Sequence, residues 1–265
     1  MSAYAELVAR LGSQVRLDAP SAEFTTYRCG GAFSALIRAE SVNDLAVIAE
    51  VRAEAGGFPV LVVGRGSNLL VADAGFAGVA VVLAGDFEQL ECSAVSAEVT
   101  AGGAVPLPVL ARRAAAAGIG GLEFLVGIPG SVGGAVRMNA GGHGAEIRDV
   151  LHSATVFDLA QGVSRTVVPA DLGLVFRSSA LGPTEVVVAA RLGGTPSDPA
   201  AAGSRIDEIV RWRREHQPGG QNAGSVFRNP PGDAAGRIID ACGLKGLRIG
   251  GVEVAQKHAK IGRAH

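Results

Sequence analysis

Apolar residues near the N-terminus recur at the spacing of an amphipathic helix. Tyr4, Leu7, Val8 and Leu11 fall on one helical face, with charged residues between them. The next segments predict, in order, a strand, an amphipathic helix and a short apolar strand, at 32–38, 42–55 and 60–63. This alternation predicts a small α/β lobe, which we assign to residues 1–78.

From residue 79 onward the pattern changes to short strands around one helix. The predicted strands are 79–83, 97–101, 153–158 and 185–191, and the predicted helix is 108–117. Together they predict a second, mixed lobe at residues 79–195. Residues 69–71, Leu-Leu-Val, also have the apolar character of a strand.

A third unit is predicted after a Gly-, Pro- and Ser-rich break at 193–199. A helical stretch at 206–215 follows, then a polar loop, then a helix at 234–242 that ends at Gly243. We assign this unit to residues 200–265.

The composition is that of a globular protein that can bury a large core. Of the 265 residues, 48% are hydrophobic and 18% are charged, and the net charge is −1, which argues against a nucleic-acid partner. Cys29, Cys92 and Cys242 are widely separated, so we expect reduced thiols and neither a disulfide framework nor a metal site. No signal sequence or membrane-length apolar run is present, and a cytoplasmic protein without membrane contact is expected.

Two glycine-rich stretches predict a cofactor site. The first, 64–68, reads Gly-Arg-Gly-Ser-Asn directly after an apolar strand; the second, 127–142, begins Gly-Ile-Pro-Gly-Ser-Val-Gly-Gly. Glycine lets backbone N–H groups approach a ligand closely, which suits a pyrophosphate, although either stretch alone is also consistent with a simple turn. Neither has the Rossmann or P-loop pattern.

Four segments, taken in order, resemble the UDP-N-acetylenolpyruvoylglucosamine reductase (MurB) family. They are Thr-Tyr-Arg-Cys-Gly-Gly at 26–31, Gly-Arg-Gly-Ser-Asn-Leu-Leu at 64–70, Gly-Ile-Pro-Gly-Ser-Val-Gly-Gly at 127–134 and Gly-Ser-Val-Phe-Arg-Asn-Pro at 224–230. The resemblance implies an α+β fold: a two-lobe FAD-binding fold of the PCMH/VAO type, followed by an incomplete α/β substrate-binding domain. The short interval between Arg177 and Ser225 resembles the type II members.

The same resemblance implies the chemistry. NADPH would reduce FAD, and the enolpyruvyl ether of a UDP-sugar would then be reduced to UDP-N-acetylmuramate for peptidoglycan synthesis. A monomer is expected, with the UDP-sugar as its small-molecule partner.

The resemblance also implies roles for individual residues. Arg177 would hold the substrate carboxylate and stabilise the enolate, Ser225 would donate the proton, and Arg213 and Asn229 would bind substrate. The 64–68 loop would hold the pyrophosphate and the second glycine stretch would lie along the cofactor. The implied cofactor-binding residues are Tyr27, Gly64, Arg65, Gly66, Ser67, Asn68, Gly127, Ile128, Pro129, Gly130, Ser131, Gly133, Gly134, Ala135, Asn139, Gly141 and Ile147.

The chain departs from the family in three places. Phe176 stands where the family commonly has Tyr, His216 stands where it often has Lys, and the C-terminal segment that supplies a catalytic glutamate is not in the sequence. Residues 260–265 can be encoded by a sequencing-adapter stretch, so we expect a truncated C-terminus. Two alternatives stay open: a flavin-binding fragment without turnover, and an oxidase of the same fold with a flavin-linking residue such as His143.

Overall fold

A computed structural model describes residues 2–222 and 224–264 of the chain. The α-helices are α1 Ala3–Leu11, α2 Val42–Glu54, α3 Leu107–Ala116, α4 Val132–Arg137, α5 Ile147–Val150, α6 Pro199–His216 and α7 Ala235–Ala241. Short 3₁₀ turns lie at Gly12–Gln14, Ser21–Glu23, Gly85–Glu88 and Glu123–Gly127. The strands are β1 Val15–Pro20, β2 Ala32–Ala39, β3 Val60–Val62, β4 Phe76–Leu83, β5 Leu90–Ser93, β6 Glu98–Gly102, β7 Ile119–Gly120, β8 Gly141–Gly142, β9 Ala145–Glu146, β10 Leu151–Asp158, β11 Val163–Val167, β12 Glu185–Gly193, β13 Thr195–Pro196, β14 Arg248–Ile249, β15 Val252–Val254 and β16 Gly262–Ala264.

The first lobe is a four-stranded sheet, in the order β1-β2-β4-β3, with α1 and α2 against one face. Strand β1 is antiparallel to β2, whereas β2 and β3 both run parallel to β4. Helix α2 begins with a capping box in which Ser41 accepts a hydrogen bond from the Asp44 N–H and the Asp44 carboxylate accepts one from the Ser41 N–H. Leu7 of α1 and Leu45 of α2 are fully buried in the resulting core.

Two predictions for this part of the chain are wrong. The strand predicted at 79–83 belongs to the first sheet, as the central strand β4 between β2 and β3, so a boundary at residue 78 would cut it. Residues 69–71 form no strand; Val71 lies close to Gly30, where a Cβ would be 2.5 Å from the Val71 carbonyl oxygen. We propose that the first lobe continues through Leu83.

The second lobe is built on an antiparallel sheet, in the order β11-β10-β12-β6-β5. Helices α3 and α4 and the 3₁₀ turn Glu123–Gly127 supply much of its core. Phe157 and Val186 of this sheet reach into the core of the first lobe, so the two lobes share apolar packing.

The predicted break before the third unit is partly structured. Thr195 and Pro196 pair with β7, and α6 begins at Pro199, with Asp198 as its N-cap. Ala202 and Ile206 of α6 are buried in the second-lobe core. The first half of α6 therefore belongs to that lobe, and a boundary at residue 200 is wrong for this helix.

Beyond α6 the chain forms α7 and a small antiparallel sheet, β14-β15-β16. Few apolar side chains are buried there: Ala235, Ala255, Ala259 and Ile261. Among the described residues, no helix combines the length and apolar character needed to cross a membrane.

Candidate flavin and substrate site

A cleft of about 460 Å³ lies between the two lobes. Strands β2, β3 and β4 form one wall, and the other is formed by backbone of the second lobe around residues 103–104 and 131–134. Of the predicted cofactor residues, Gly64, Arg65, Ser131, Gly133 and Gly134 line it. The structure thus brings the two glycine stretches together on one cleft.

The 64–68 loop leaves the cleft end of β3 in a conformation that requires glycine. Gly66 has φ +63°, and a Cβ there would lie 1.9 Å from the Phe24 carbonyl oxygen. The Thr26 N–H and hydroxyl both donate to the Gly66 carbonyl, each at 3.2 Å, and hold the loop in place. Tyr27 follows directly and is half-buried.

This loop offers unused hydrogen-bond donors. Among the described residues, the backbone N–H groups of 64–68 have no acceptor, and the buried Thr25 hydroxyl beside them has no partner. Buried polar groups are rarely left without partners in native proteins. A row of N–H groups without acceptors can bind an anion such as a pyrophosphate. The 64–68 loop therefore fits the pyrophosphate of FAD.

The second glycine stretch is fixed by the loop after β6. The Val132 N–H donates to the Val105 carbonyl and the Gly133 N–H to the Gly103 carbonyl, both at 2.9 Å. Ser131 caps α4, and a Cβ on Gly64 would lie 2.8 Å from its hydroxyl. A side chain at position 64 would therefore displace the Ser131 hydroxyl, so the close approach of the two loops favours glycine there.

Not every predicted cofactor residue faces this cleft. Gly127, Ala135, Asn139 and Ile147 are buried, and Ala135 and Ile147 belong to the second-lobe core. The Asn139 carboxamide is occupied by protein partners. Contact of these four residues with the cofactor therefore stays a prediction. The other predicted members of the two stretches, Ser67, Asn68, Ile128, Pro129, Gly130 and Gly141, are at least partly exposed.

Arg177 lies at the tip of a tight turn, residues 175–178, in the connection between strands β11 and β12 of the second lobe. Val175 and Ser178 exchange two backbone hydrogen bonds of 3.1 Å, and Arg177 has φ +57°, a left-handed conformation that is costly for a non-glycine residue. Its guanidinium donates to the Gly141 carbonyl (2.9 Å) and lies over the exposed Phe176 ring, 5.2 Å from the centroid. The turn therefore places the exposed, positively charged guanidinium of Arg177 beside the second glycine stretch.

Ser225 and Asn229 lie on the exposed loop before α7. Ser225 pairs with Ile261 in an isolated bridge, and the Val226 N–H donates to the Lys260 carbonyl (2.9 Å). The Asn229 Oδ1 accepts hydrogen bonds from the N–H of Ala235, at the start of α7, and from the Lys260 Nζ. Within the part of the chain that the structure describes, the exposed Ser225 hydroxyl has no hydrogen-bond partner, whereas the Asn229 oxygen accepts two hydrogen bonds.

Arg213 lines a second cavity, of about 420 Å³, at the C-terminal end of α6. Arg214 and Lys257 also line it, and the Lys257 Nζ donates to the Arg214 carbonyl (2.9 Å). Burial lowers the pKa of the Arg213 guanidinium. No carboxylate of the described chain lines this cavity, so an anion bound there would meet cations without a competing partner.

His143 packs between Gly127 and Trp212 and does not line the 460 Å³ cleft. Its ring would be 3.3 Å from a Cβ on Gly127 and meets Trp212 edge-on, with ring centroids 5.1 Å apart. Burial, and next the nearby Arg213, lower the pKa of His143. The packing of this histidine gives no support to a flavin-linking role.

Sequence reasoning missed several residues of the cleft. Gly103 is one: a Cβ there would lie 2.1 Å from the Val187 carbonyl oxygen, and the Gly-Gly pair at the end of β6 was the available signal. Arg137 also lines the cleft and donates to the carbonyls of Leu181 (3.1 Å) and Gly182 (2.8 Å). Thr25, which lies beside Gly66 and does not line the cleft, carried no sequence signal, since only burial distinguishes its hydroxyl.

Two family models match the chain. One, described as FAD binding domain, matches residues 33–167; the other, described as UDP-N-acetylenolpyruvoylglucosamine reductase, C-terminal domain, matches residues 216–262. The first includes most of the residues that line the cleft, and the second includes the loop that carries Ser225.

Relatives match along nearly the whole chain. The UDP-N-acetylenolpyruvoylglucosamine reductase of Paramagnetospirillum magneticum is 44% identical over 262 residues, covering 98% of this chain and 83% of that protein. That of Rubrobacter xylanophilus is 40% identical over 252 residues, covering 94% and 83%.

The solved structures agree with this. The crystal structure of UDP-N-acetylenolpyruvylglucosamine reductase (MurB) from Thermus caldophilus superposes with a TM-score of 0.82 at 36% identity, covering 94% of this chain and 87% of that one. The BBE-like 1 protein of Physcomitrella patens, at TM-score 0.55 and 16% identity over 73% of this chain and 44% of its own, shares the fold. The chain therefore belongs to the UDP-N-acetylenolpyruvoylglucosamine reductase (MurB) family, with the FAD-binding PCMH-type α+β fold.

Proposed function

We propose that this chain is an FAD-dependent reductase that uses NADPH to reduce the enolpyruvyl ether of UDP-N-acetylglucosamine enolpyruvate to UDP-N-acetylmuramate, a step of peptidoglycan precursor synthesis. The 44% identity to a named reductase over 98% of the chain carries the proposal. The cleft with its free N–H donors and the exposed Arg177 beside it supply the parts that such a reaction needs.

FAD, when bound, supplies a hydride to the substrate methylene carbon. The protein then has to orient the enolpyruvyl group, stabilise negative charge on its carboxylate and deliver one proton. Arg177 suits the second task, because a planar guanidinium binds a carboxylate in a bidentate fashion and retains its charge. Stabilising developing charge at a fixed position is commonly the largest single catalytic contribution.

Ser225 is the proposed proton donor to the carbon next to the carboxylate. Its hydroxyl is exposed on the loop before α7, so its oxygen is accessible to a ligand. A positioned hydroxyl can deliver a proton when the acceptor carbon develops strong basicity.

Arg213 is proposed to bind the substrate diphosphate in the second cavity, because no carboxylate of the described residues lines that cavity beside its half-buried guanidinium. Asn229 is proposed to contact substrate through its amide group. We further propose a monomeric, cytoplasmic enzyme that prefers NADPH as its hydride source.

The test is steady-state oxidation of NADPH by the FAD-loaded chain with the enolpyruvyl UDP-sugar, with the product identified by its mass. We expect UDP-N-acetylmuramate in amounts equal to the NADPH consumed, and loss of turnover with retained FAD in Ser225→Ala. A flavin-loaded chain that oxidises NADPH without forming this product would support the fragment without turnover and refute the proposal.

A further inference from the structure

Asn139 is a fully buried polar residue whose carboxamide is used entirely by protein partners. Its Nδ2 donates to a Glu146 carboxylate oxygen (2.9 Å) and to the Val175 carbonyl (3.2 Å), and its Oδ1 accepts from the Arg148 N–H (3.0 Å). Its backbone is left-handed, with φ +38°. A buried amide with both N–H groups and its oxygen satisfied holds its neighbours in one arrangement.

The Val175 carbonyl is the point at which Asn139 meets the Arg177 turn. This carbonyl also accepts the Ser178 N–H, which closes the turn that carries Arg177. The Val175 carbonyl oxygen therefore accepts two hydrogen bonds, one from the Ser178 N–H that closes the turn and one from the Asn139 carboxamide. The left-handed Arg177 backbone is costly, and such a conformation persists only where surrounding contacts enforce it.

Two further contacts, on either side of Asn139 in the sequence, tie the same turn. The Ser179 hydroxyl donates to the Arg137 carbonyl (2.7 Å), and the Arg177 guanidinium donates to the Gly141 carbonyl (2.9 Å). Residues 137, 139 and 141 thus form a strip that runs from the end of α4 along the turn. Of the three, Asn139 is the one whose side chain bonds the turn itself, at Val175, whereas the Arg137 guanidinium donates further along the chain, to the Leu181 and Gly182 carbonyls.

We propose that Asn139 is a positioning residue: through the Val175 carbonyl it sets the conformation of the turn that presents Arg177 to the substrate carboxylate. The inference rests on the proposed function only for the identity of the group that Arg177 binds. Direct contact of the Asn139 side chain with cofactor or substrate is not part of it, because the carboxamide is buried and its donors are occupied.

Asn139→Gly is the informative variant, since glycine accepts a left-handed backbone and only the carboxamide is lost. In the FAD-loaded enzyme we expect an unchanged FAD-to-protein ratio and an unchanged rate of FAD reduction by NADPH. The kcat/KM for the enolpyruvyl sugar should fall about 10- to 100-fold, as expected for a displaced catalytic group. Leu45→Ala, which opens a cavity in the first-lobe core, is the control for lost stability.

A double-mutant cycle separates positioning from general damage. If Asn139 acts through Arg177, then Asn139→Gly should cost far less in an Arg177→Ala background than in the wild type. Equal losses in both backgrounds, or loss of FAD in parallel with activity, would overturn the proposal.

A readout without substrate distinguishes this inference from the proposed function. If the wild-type holoenzyme does not reduce the enolpyruvyl sugar, the proposed function fails, and hydrogen exchange at the Ser178 amide then decides on Asn139. Faster exchange at that amide in Asn139→Gly, but not in Leu45→Ala, supports the positioning role. Exchange at the wild-type rate refutes it.

Discussion

Replacement of Gly66 by alanine tests the assignment of the 64–68 loop to the cofactor, at the point where this loop packs most closely on neighbouring backbone. A Cβ at Gly66 would lie 1.9 Å from the Phe24 carbonyl oxygen, whereas real Cβ atoms essentially never approach closer than 3.0 Å. The neighbour is backbone and cannot rotate away, so the loop has to move by about 1 Å in a close-packed interior. The left-handed φ adds about 1–2 kcal/mol for a residue with a Cβ.

Such a displacement acts on the N–H groups of residues 64–68. A hydrogen bond to a charged group contributes about 1.5–3 kcal/mol, and loss of one such bond to the pyrophosphate corresponds to about 10- to 100-fold weaker FAD binding. We expect Gly66→Ala to be purified with little flavin and to bind added FAD with a dissociation constant raised by about that factor, as measured by quenching of flavin fluorescence.

Gly243→Ala is the matched control. Gly243 has a similar left-handed φ of +69°, but nothing lies within 4 Å of a Cβ there. Gly243→Ala therefore introduces the same kind of backbone strain without a steric clash and outside the 64–68 loop. Wild-type FAD affinity in Gly66→Ala, or equal losses in Gly66→Ala and Gly243→Ala, would refute the assignment of this loop to the cofactor.

Three further predictions follow from other contacts. Arg177→Lys should lower kcat/KM for the enolpyruvyl sugar by about 10²–10³-fold with FAD content unchanged, because lysine lacks the planar guanidinium; an effect no larger than that of Arg112→Lys, at an exposed arginine of α3, would contradict the role. The Arg237 guanidinium, and next the Ala234 N–H, lower the pKa of Asp233 to about 2. The ionised Asp233 carboxylate therefore stabilises the folded state fully above the unfolded pKa of 3.8, and this contribution is lost as the pH falls through 2. Arg237→Ala should raise the pKa of Asp233 toward 3.8 in an NMR titration, and an unchanged pKa would show that the ion pair does not form in solution. Residues 224–264 bury few apolar side chains, so their amides should exchange faster than those of α3, and equal protection would show a better-packed third unit.

The sequence predicts local elements well where periodicity and caps agree. Helices α1 and α2 form where predicted, with Leu7 and Leu11 of α1 buried but Val8 exposed, and Ser41 and Asp44 form the cap that fixes the start of α2. The two glycine stretches are also recognisable, since close approach leaves few residue types possible, as Gly66 shows. These features depend on contacts near in sequence or on backbone geometry, which residue types report directly.

Features that depend on distant contacts could not be predicted. The apolar segment now in β4 is equally consistent with either sheet, and only its parallel pairing with β2 and β3 assigns it to the first. Asn139 lies inside a glycine stretch, which suggested a cofactor contact, and its partner Val175 is 36 residues away. The packing of the first half of α6 on the second lobe is likewise a tertiary contact that helical periodicity does not specify.

The central claim is that this chain holds FAD in the cleft and passes electrons from NADPH to an enolpyruvyl UDP-sugar. Its most direct test is the visible spectrum of the purified holoenzyme under anaerobic conditions, recorded before NADPH, after NADPH and after addition of the sugar. We expect a flavin band that bleaches with NADPH and recovers on addition of the sugar but not of UDP-N-acetylglucosamine. A band that bleaches and does not recover would contradict the reductase, and a protein that binds no flavin would contradict the cleft assignment itself.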